Sequence, residues 1–286
     1  MPATVLIAGA TGLIGASVLQ TISKDSKYDI TALVRSEDKA KKVAEITGVK
    51  TIVGSLEDTE LLTNKAAEFD VITKDTDADL VETYNGLPHN PPAKAVVDAG
   101  AAGCVKTFTV YPPTVWGAPS GPLFEAGIAH VGSIQLPLSI KTSIGRGQGG
   151  VVGEGLSVWN HAHVDDTASF YVTLLGKAVD GSAPSGAKDG HYIIENGEYQ
   201  YKKLAETYTK ALHAAGKSAS PEPTKFEQKE FEAIGFLFIL GTNSTTAGPR
   251  ARSLGWTPKY STDDFYAWVP KEVDAAIAGK LAGGVY

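Results

Sequence analysis

Residues 1–15 read Met1-Pro2-Ala3-Thr4-Val5-Leu6-Ile7-Ala8-Gly9-Ala10-Thr11-Gly12-Leu13-Ile14-Gly15. Thr4 to Ala8 is a short apolar run rich in branched side chains, which predicts a buried parallel strand. It ends directly in the glycine triplet, and Ile14, Val18, Leu19 and Ile22 then recur at helical spacing. Strand, glycine turn and helix, in that order, form the context in which a glycine fingerprint has chemical meaning. Gly9 allows the tight turn, Gly12 lets the backbone approach a pyrophosphate, and Gly15 lets the helix pack on the strand. The unpaired N–H groups of the helix start would face the anion. Gly9, Thr11, Gly12, Leu13, Ile14 and Gly15 are therefore the expected dinucleotide-binding loop. The competing reading is a glycine turn that only joins strand to helix.

Outward from this stretch, composition sets the bounds. The 286 residues can bury a substantial core, and 43% apolar with 20% charged residues is ordinary for a globular chain. A net charge of −6 offers no basic footprint for nucleic acid or an anionic membrane. The longest strongly apolar run, Ile234 to Leu240, is far too short to span a bilayer, and no signal-like segment precedes the first strand. A single cysteine, Cys104, leaves no internal disulfide and fits a reducing cytosol; among small and apolar neighbours it reads as a buried structural thiol.

The second strand, Asp29 to Val34, ends in Arg35. A residue at that strand end meets the adenosine ribose, where an acid binds the 2′-hydroxyl and an Arg accommodates a 2′-phosphate. Arg35, with Lys39, Lys41 and Lys42 beyond it, predicts NADP(H) rather than NAD(H). Strands are further expected at Val49 to Val53, Phe69 to Thr73 and Val105 to Tyr111. Alternating strands and helices require the α/β class, here a doubly wound parallel sheet with a small C-terminal substrate-binding lobe. The division expected is 1–122 for the nucleotide-binding core, with 157–182 and 190–196 returning to it. Residues 123–156 and 197–286 would form the lobe.

Gly-Ala-Thr-Gly-x-Ile-Gly, with two residues between Gly9 and Gly12, resembles the extended and atypical short-chain dehydrogenase/reductase superfamily, in its epimerase/dehydratase-like branch. The resemblance continues in Gly54-Ser-Leu-Glu-Asp58, where it implies that Leu56 lines the adenine pocket; Ser55 replaces the family's usual Asp. Pro112-Pro-Thr-Val-Trp-Gly117 is similar to the family's Arg-Pro-x-x-Val-Tyr-Gly element, which implies that Pro112 borders the nicotinamide. Between residues 75 and 105 the chain departs from the family: the strand ending in Ser/Thr and the helix bearing Tyr-x-x-x-Lys have no counterpart. Only Tyr199 and Lys203 have that spacing, on what reads as the start of a surface helix. The chain is most similar to fungal-type NAD(P)-binding epimerase/dehydratase-like proteins. That implies a cytosolic NADP(H) reductase or isomerase of a small, secondary metabolite.

His161, His163 and Asp165 would share one face of a strand, and H-x-H on a strand can ligate zinc. No second His/Cys cluster accompanies it, so no metal is expected. The stretch better resembles the family's His-Val-Asp-Asp junction, with Asp165 or Asp166 capping the following helix. Gly145 to Gly150 reads as a flexible turn between strands, and Ile134 to Pro137 as an interruption of any long helix. Near the C-terminus, Arg250 and Arg252 lie in a segment similar to the family's closing motif, where they would hold an acidic substrate group or be solvated helix residues.

Hydride delivery to a carbonyl leaves an alkoxide that an acid must neutralise. With Tyr-x-x-x-Lys gone, the expected catalytic pair is Tyr111, with the family's preferred acid type, and Lys74, which would lower its pKa. The alternative is that Tyr111 is a packed aromatic and Lys74 is solvated. Two functions follow: an NADP(H)-dependent enzyme with a replacement proton donor, or an NADP-binding protein without redox activity, as sensor, scaffold or non-redox cyclase or isomerase.

Overall fold

The computed structural model describes residues 1–55, 58, 71–74, 98–103, 105–234 and 236–280. Leu56 and Cys104 lie outside these residues, as does the Lys74 side chain.

Four parallel strands, β1 (Ala3–Ala8), β2 (Tyr28–Val34), β3 (Lys50–Val53) and β4 (Val71–Lys74), form a sheet of order β3-β2-β1-β4. Ala8 lies opposite Leu33 on one side and Lys74 on the other, so the strands end together around Gly9. The continuous apolar run of β1 reflects burial on both faces. Val5 and Ile7 join a core with helix α1 (Leu13–Ile22) and helix α2 (Glu37–Thr47), while Leu6 and Ala8 pack with Leu33 on the opposite face. Helix α2 has local start and stop signals: Ser36 accepts from the Lys39 amide, Glu37 and Asp38 fill the first turn, and Gly48 closes it at φ 74°.

Beyond the central gap, β5 (Thr109–Tyr111) pairs in parallel with β9 (His191–Ile193). Their even positions, Val110, Tyr192 and Ile194, pack with Phe170 and Leu174 of helix α4 (Val164–Val179). Helix α4 also lies against α1. Leu123, Phe124, Ile128 and Ala129 pack into the same core as β1, α1 and α2.

A three-stranded sheet, β6 (Thr114–Trp116), β8 (Val158–His163) and β10 (Glu198–Gln200) in the order β10-β8-β6, faces helices α3 (Gln135–Arg146), α5 (Tyr201–Ala214) and α6 (Thr262–Ile277). Short strands β7 (Gly150–Val151) and β11 (Thr224–Lys225) pair at its rim. Their common core holds Trp116, Ile140, Tyr199, Tyr208, Phe265 and Val269, all buried.

Two expectations change here. Ile134 to Pro137 does not interrupt a helix; it starts α3, with Ile134 at the N-cap and Pro137 in the first turn, where a missing N–H costs nothing. The turn expected over Gly145 to Gly150 is partly helix: Gly145 and Arg146 end α3, and Gly147 caps it at φ 68°.

Candidate functional site

The site is organised by the turn between β1 and α1. Gly9 takes φ 78°, and its carbonyl accepts the Gly12 amide at 2.8 Å. Gly12 is the N-cap of α1, extended at φ −78° and ψ 171°, and no side chain caps the helix. The amides of Leu13, Ile14 and Gly15 therefore open the helix without a side-chain acceptor, the arrangement that receives a phosphate. A Cβ at Gly15 would stand 2.2 Å from the Gly9 carbonyl oxygen, which is why only glycine fits there. The Thr11 carbonyl accepts the His130 amide at 2.9 Å, fixing the turn against the loop after the 122–125 helical turn.

Arg35 follows β2 directly, is exposed, and has no hydrogen-bonding or ionic partner among the described residues. Its neighbour Ser36 is committed to capping α2. A free guanidinium thus stands at the end of the strand beside β1. Lys74 ends β4 opposite Ala8, at the same edge of the sheet.

Tyr111 ends β5, and half-buried Pro112 follows it. The Tyr111 hydroxyl meets His191 Nδ1 at 2.7 Å, with the two rings stacked at 17° and 5.8 Å between centroids. Thr109, Tyr111, His191 and Ile193 share the sheet face opposite α4, because side chains alternate along each strand. No local pattern in the sequence links His191 to Tyr111; the parallel β5–β9 register brings them together.

His161 and His163 do lie on one strand face, and both rings meet Trp116. Trp116 Nε1 donates to His161 Nδ1 at 3.0 Å, and His161 Nε2 lies 2.9 Å from Thr262 Oγ1. Indole is a donor only, so His161 is neutral with its proton on Nε2. The expected aspartate cap of α4 is replaced by His163, whose Nδ1 accepts the Asp165 amide at 3.1 Å. Asp166 instead turns inward, where its carboxylate accepts the Lys259 and Tyr260 amides at 3.0 Å. It ties the segment before α6 to the start of α4.

Burial lowers the His161 pKa to about 4, against a smaller opposing pull from Glu195; burial likewise lowers His163, opposed chiefly by Asp165. A base depressed in the fold leaves stability intact above its unfolded value near 6.5 and lost as pH falls through its folded value. Stability is therefore expected to decline between pH 6.5 and 4, by up to roughly 3 kcal/mol from His161. Imidazole NMR titration with urea unfolding across this range checks it. A His161 midpoint near 6.5 would refute the assignment.

Tyr199 is not on a surface helix. It lies in β10, 1% exposed, with its hydroxyl 3.0 Å from Thr114 Oγ1 and accepting Gln135 Nε2 at 3.0 Å. Burial raises its pKa, and Lys203 turns away to sit over the Tyr266 ring. Arg250 and Arg252 are not merely solvated. Arg250 donates to the Asp189 and His191 carbonyls, and Arg252 pairs with Glu195, so both brace β9.

Residues 9–111 match the model of a family described as NAD(P)H-binding. The curated "Oxidase ucsJ" of Acremonium sp is 24% identical over 327 residues, covering 90% of this chain and 93% of the relative. Among solved structures, UDP-glucose 4-epimerase from Bifidobacterium longum, in complex with NAD+ and UDP, has a TM-score of 0.62 at 17% identity, over 97% of this chain and 99% of that one. dTDP-glucose 4,6-dehydratase from Bacillus anthracis, in complex with NAD, gives 0.62 at 15%, over 98% of each chain. Residues 9–111 thus match an NAD(P)H-binding model, and the chain has the α/β Rossmann-like fold of these epimerase and dehydratase structures. The similarity to the Acremonium oxidase runs along nearly the whole chain. No helix among the described residues is long and apolar enough to cross a membrane.

Proposed function

We propose that this protein is a cytosolic NADP(H)-dependent oxidoreductase or isomerase of a small metabolite, with Tyr111 and Lys74 in place of the missing Tyr-x-x-x-Lys pair. The observation that carries the reading is the uncapped amide turn of α1 together with the exposed Arg35 at the end of β2, which has no partner among the described residues. The amides of Leu13, Ile14 and Gly15 hold the pyrophosphate, and Arg35 takes the 2′-phosphate. Leu56 and Pro112 are the proposed contacts to the adenine and the nicotinamide. When bound, the cofactor supplies or accepts a hydride. The chain's own part is then to hold the reacting carbonyl near the strand ends and to move one proton. Tyr111 Oη–H donates that proton to the substrate oxygen.

Calorimetry tests the cofactor choice. Arg35→Ala is expected to weaken NADP(H) by about 1.5–3 kcal/mol, the worth of a hydrogen bond to a charged group, and to leave NAD(H) unchanged. Equal binding of the two cofactors by the unaltered protein would defeat the assignment. The second reading, NADP binding without redox chemistry, is favoured by one observation: the hydroxyl of Tyr199, whose spacing to Lys203 alone fits the motif, is tied up in a buried triad with Thr114 and Gln135.

A further inference from the structure

We infer that His191 is the positioning residue of Tyr111: it aims the phenol and, as imidazolium, returns a proton to Oη after Tyr111 has protonated the substrate oxygen. The inference rests on the reading of Tyr111 as proton donor and adds a residue to that site. Several observations point to it. The hydroxyl and Nδ1 are 2.7 Å apart, a hydrogen bond rather than a chance contact. Stacking at 17° fixes the phenol ring on the imidazole, so its rotation is restricted on the face opposite α4. The His191 backbone is itself held: its carbonyl accepts Arg250 Nη1 at 3.1 Å, and Thr109 lies opposite it in the parallel register. An imidazole held this firmly places a ring nitrogen at hydrogen-bond distance from the phenol that ends β5.

The protonic balance closes without another reactant. Tyr111 Oη–H breaks as the substrate O–H forms; the phenolate then takes the proton of His191 Nδ1–H, leaving neutral imidazole, which water reprotonates. Arg250, which donates to the His191 carbonyl, lies 3.6 Å from Asp189.

The test uses the full-length protein labelled with 13Cζ-tyrosine and 15N-histidine. Without cofactor, the Tyr111 13Cζ shift (assigned with Tyr111→Phe) is expected to change at the same pH midpoint as the His191 imidazole. His191→Phe should abolish that inflection. NADPH oxidation is followed in parallel with phenanthrenequinone as the carbonyl probe. Wild-type kcat should fall on the alkaline side at the imidazole midpoint. His191→Phe should lose that limb, with kcat down about 10–100-fold, less than the 10²–10⁴ for losing the acid itself, and KM unchanged. His191→Asn, which keeps an acceptor near Nδ1, should recover part of kcat but not the limb. Independent titration of the two groups, or an unchanged pH profile in His191→Phe, overturns the role of His191. Unaltered probe turnover in Tyr111→Phe, or no probe turnover by the wild type, overturns the proton-donor reading and this inference with it. The NMR coupling then still reports whether the pair is formed.

Discussion

Gly15→Ala is expected to weaken NADP(H) binding by roughly 5- to 150-fold, the equivalent of the 1–3 kcal/mol that overpacking costs. The new methyl would stand 2.2 Å from the Gly9 oxygen and 2.8 Å from its carbonyl carbon. Both are backbone atoms, so no rotamer change relieves the clash. The carbonyl that must move is the one that accepts the Gly12 amide at 2.8 Å and so closes the turn. Displacing it shifts the Gly12 N-cap and the amides proposed to hold the pyrophosphate. Gly145→Ala is the control, since a Cβ there meets nothing within 4 Å on a helix. It should leave affinity unchanged and raise stability by about 0.5–1 kcal/mol. Calorimetry with NADPH, alongside thermal melts of each variant, separates lost affinity from lost folding. Wild-type affinity in Gly15→Ala would remove the turn as the cofactor site.

Tyr111→Phe is expected to lower turnover by about 10²–10⁴-fold, the contribution of a positioned general acid, with NADPH affinity unchanged. The substitution keeps the ring and its stacking on His191 and deletes only the hydroxyl. Its structural cost is the loss of one hydrogen bond, about 1 kcal/mol, which a thermal melt reads independently. A drop in turnover without a matching drop in affinity therefore reports chemistry. If turnover is unaltered, the phenol is a packing group, and NADP binding without redox chemistry becomes the better description.

The local signals in this sequence carried far. The apolar run Thr4 to Ala8, the three glycines and the spacing of Ile14, Val18 and Leu19 set strand, turn and helix from neighbouring residues alone, and β1 and α1 follow them. Misreadings arose where distant partners override local pattern. Tyr199 precedes a helix and reads as exposed, yet its hydroxyl completes a triad with Thr114 and Gln135, two residues far away in the chain. Asp166 reads as a helix cap, but the Lys259 and Tyr260 amides draw its carboxylate inward and leave His163 to cap the helix.

The α/β class, the glycine turn between β1 and α1 and the candidate at Arg35 were legible in the sequence, because each is written in residues within a few positions of one another. Tertiary structure alone decided the rest of the site. It neutralised His161 by placing it between Trp116 and Thr262. It turned Arg250 and Arg252 onto β9. It joined Tyr111 to His191 across 80 residues. The physical reason is common to all three: the state of a polar side chain depends on who its partner is, and parallel strands choose partners by crossover connections that no local spacing encodes.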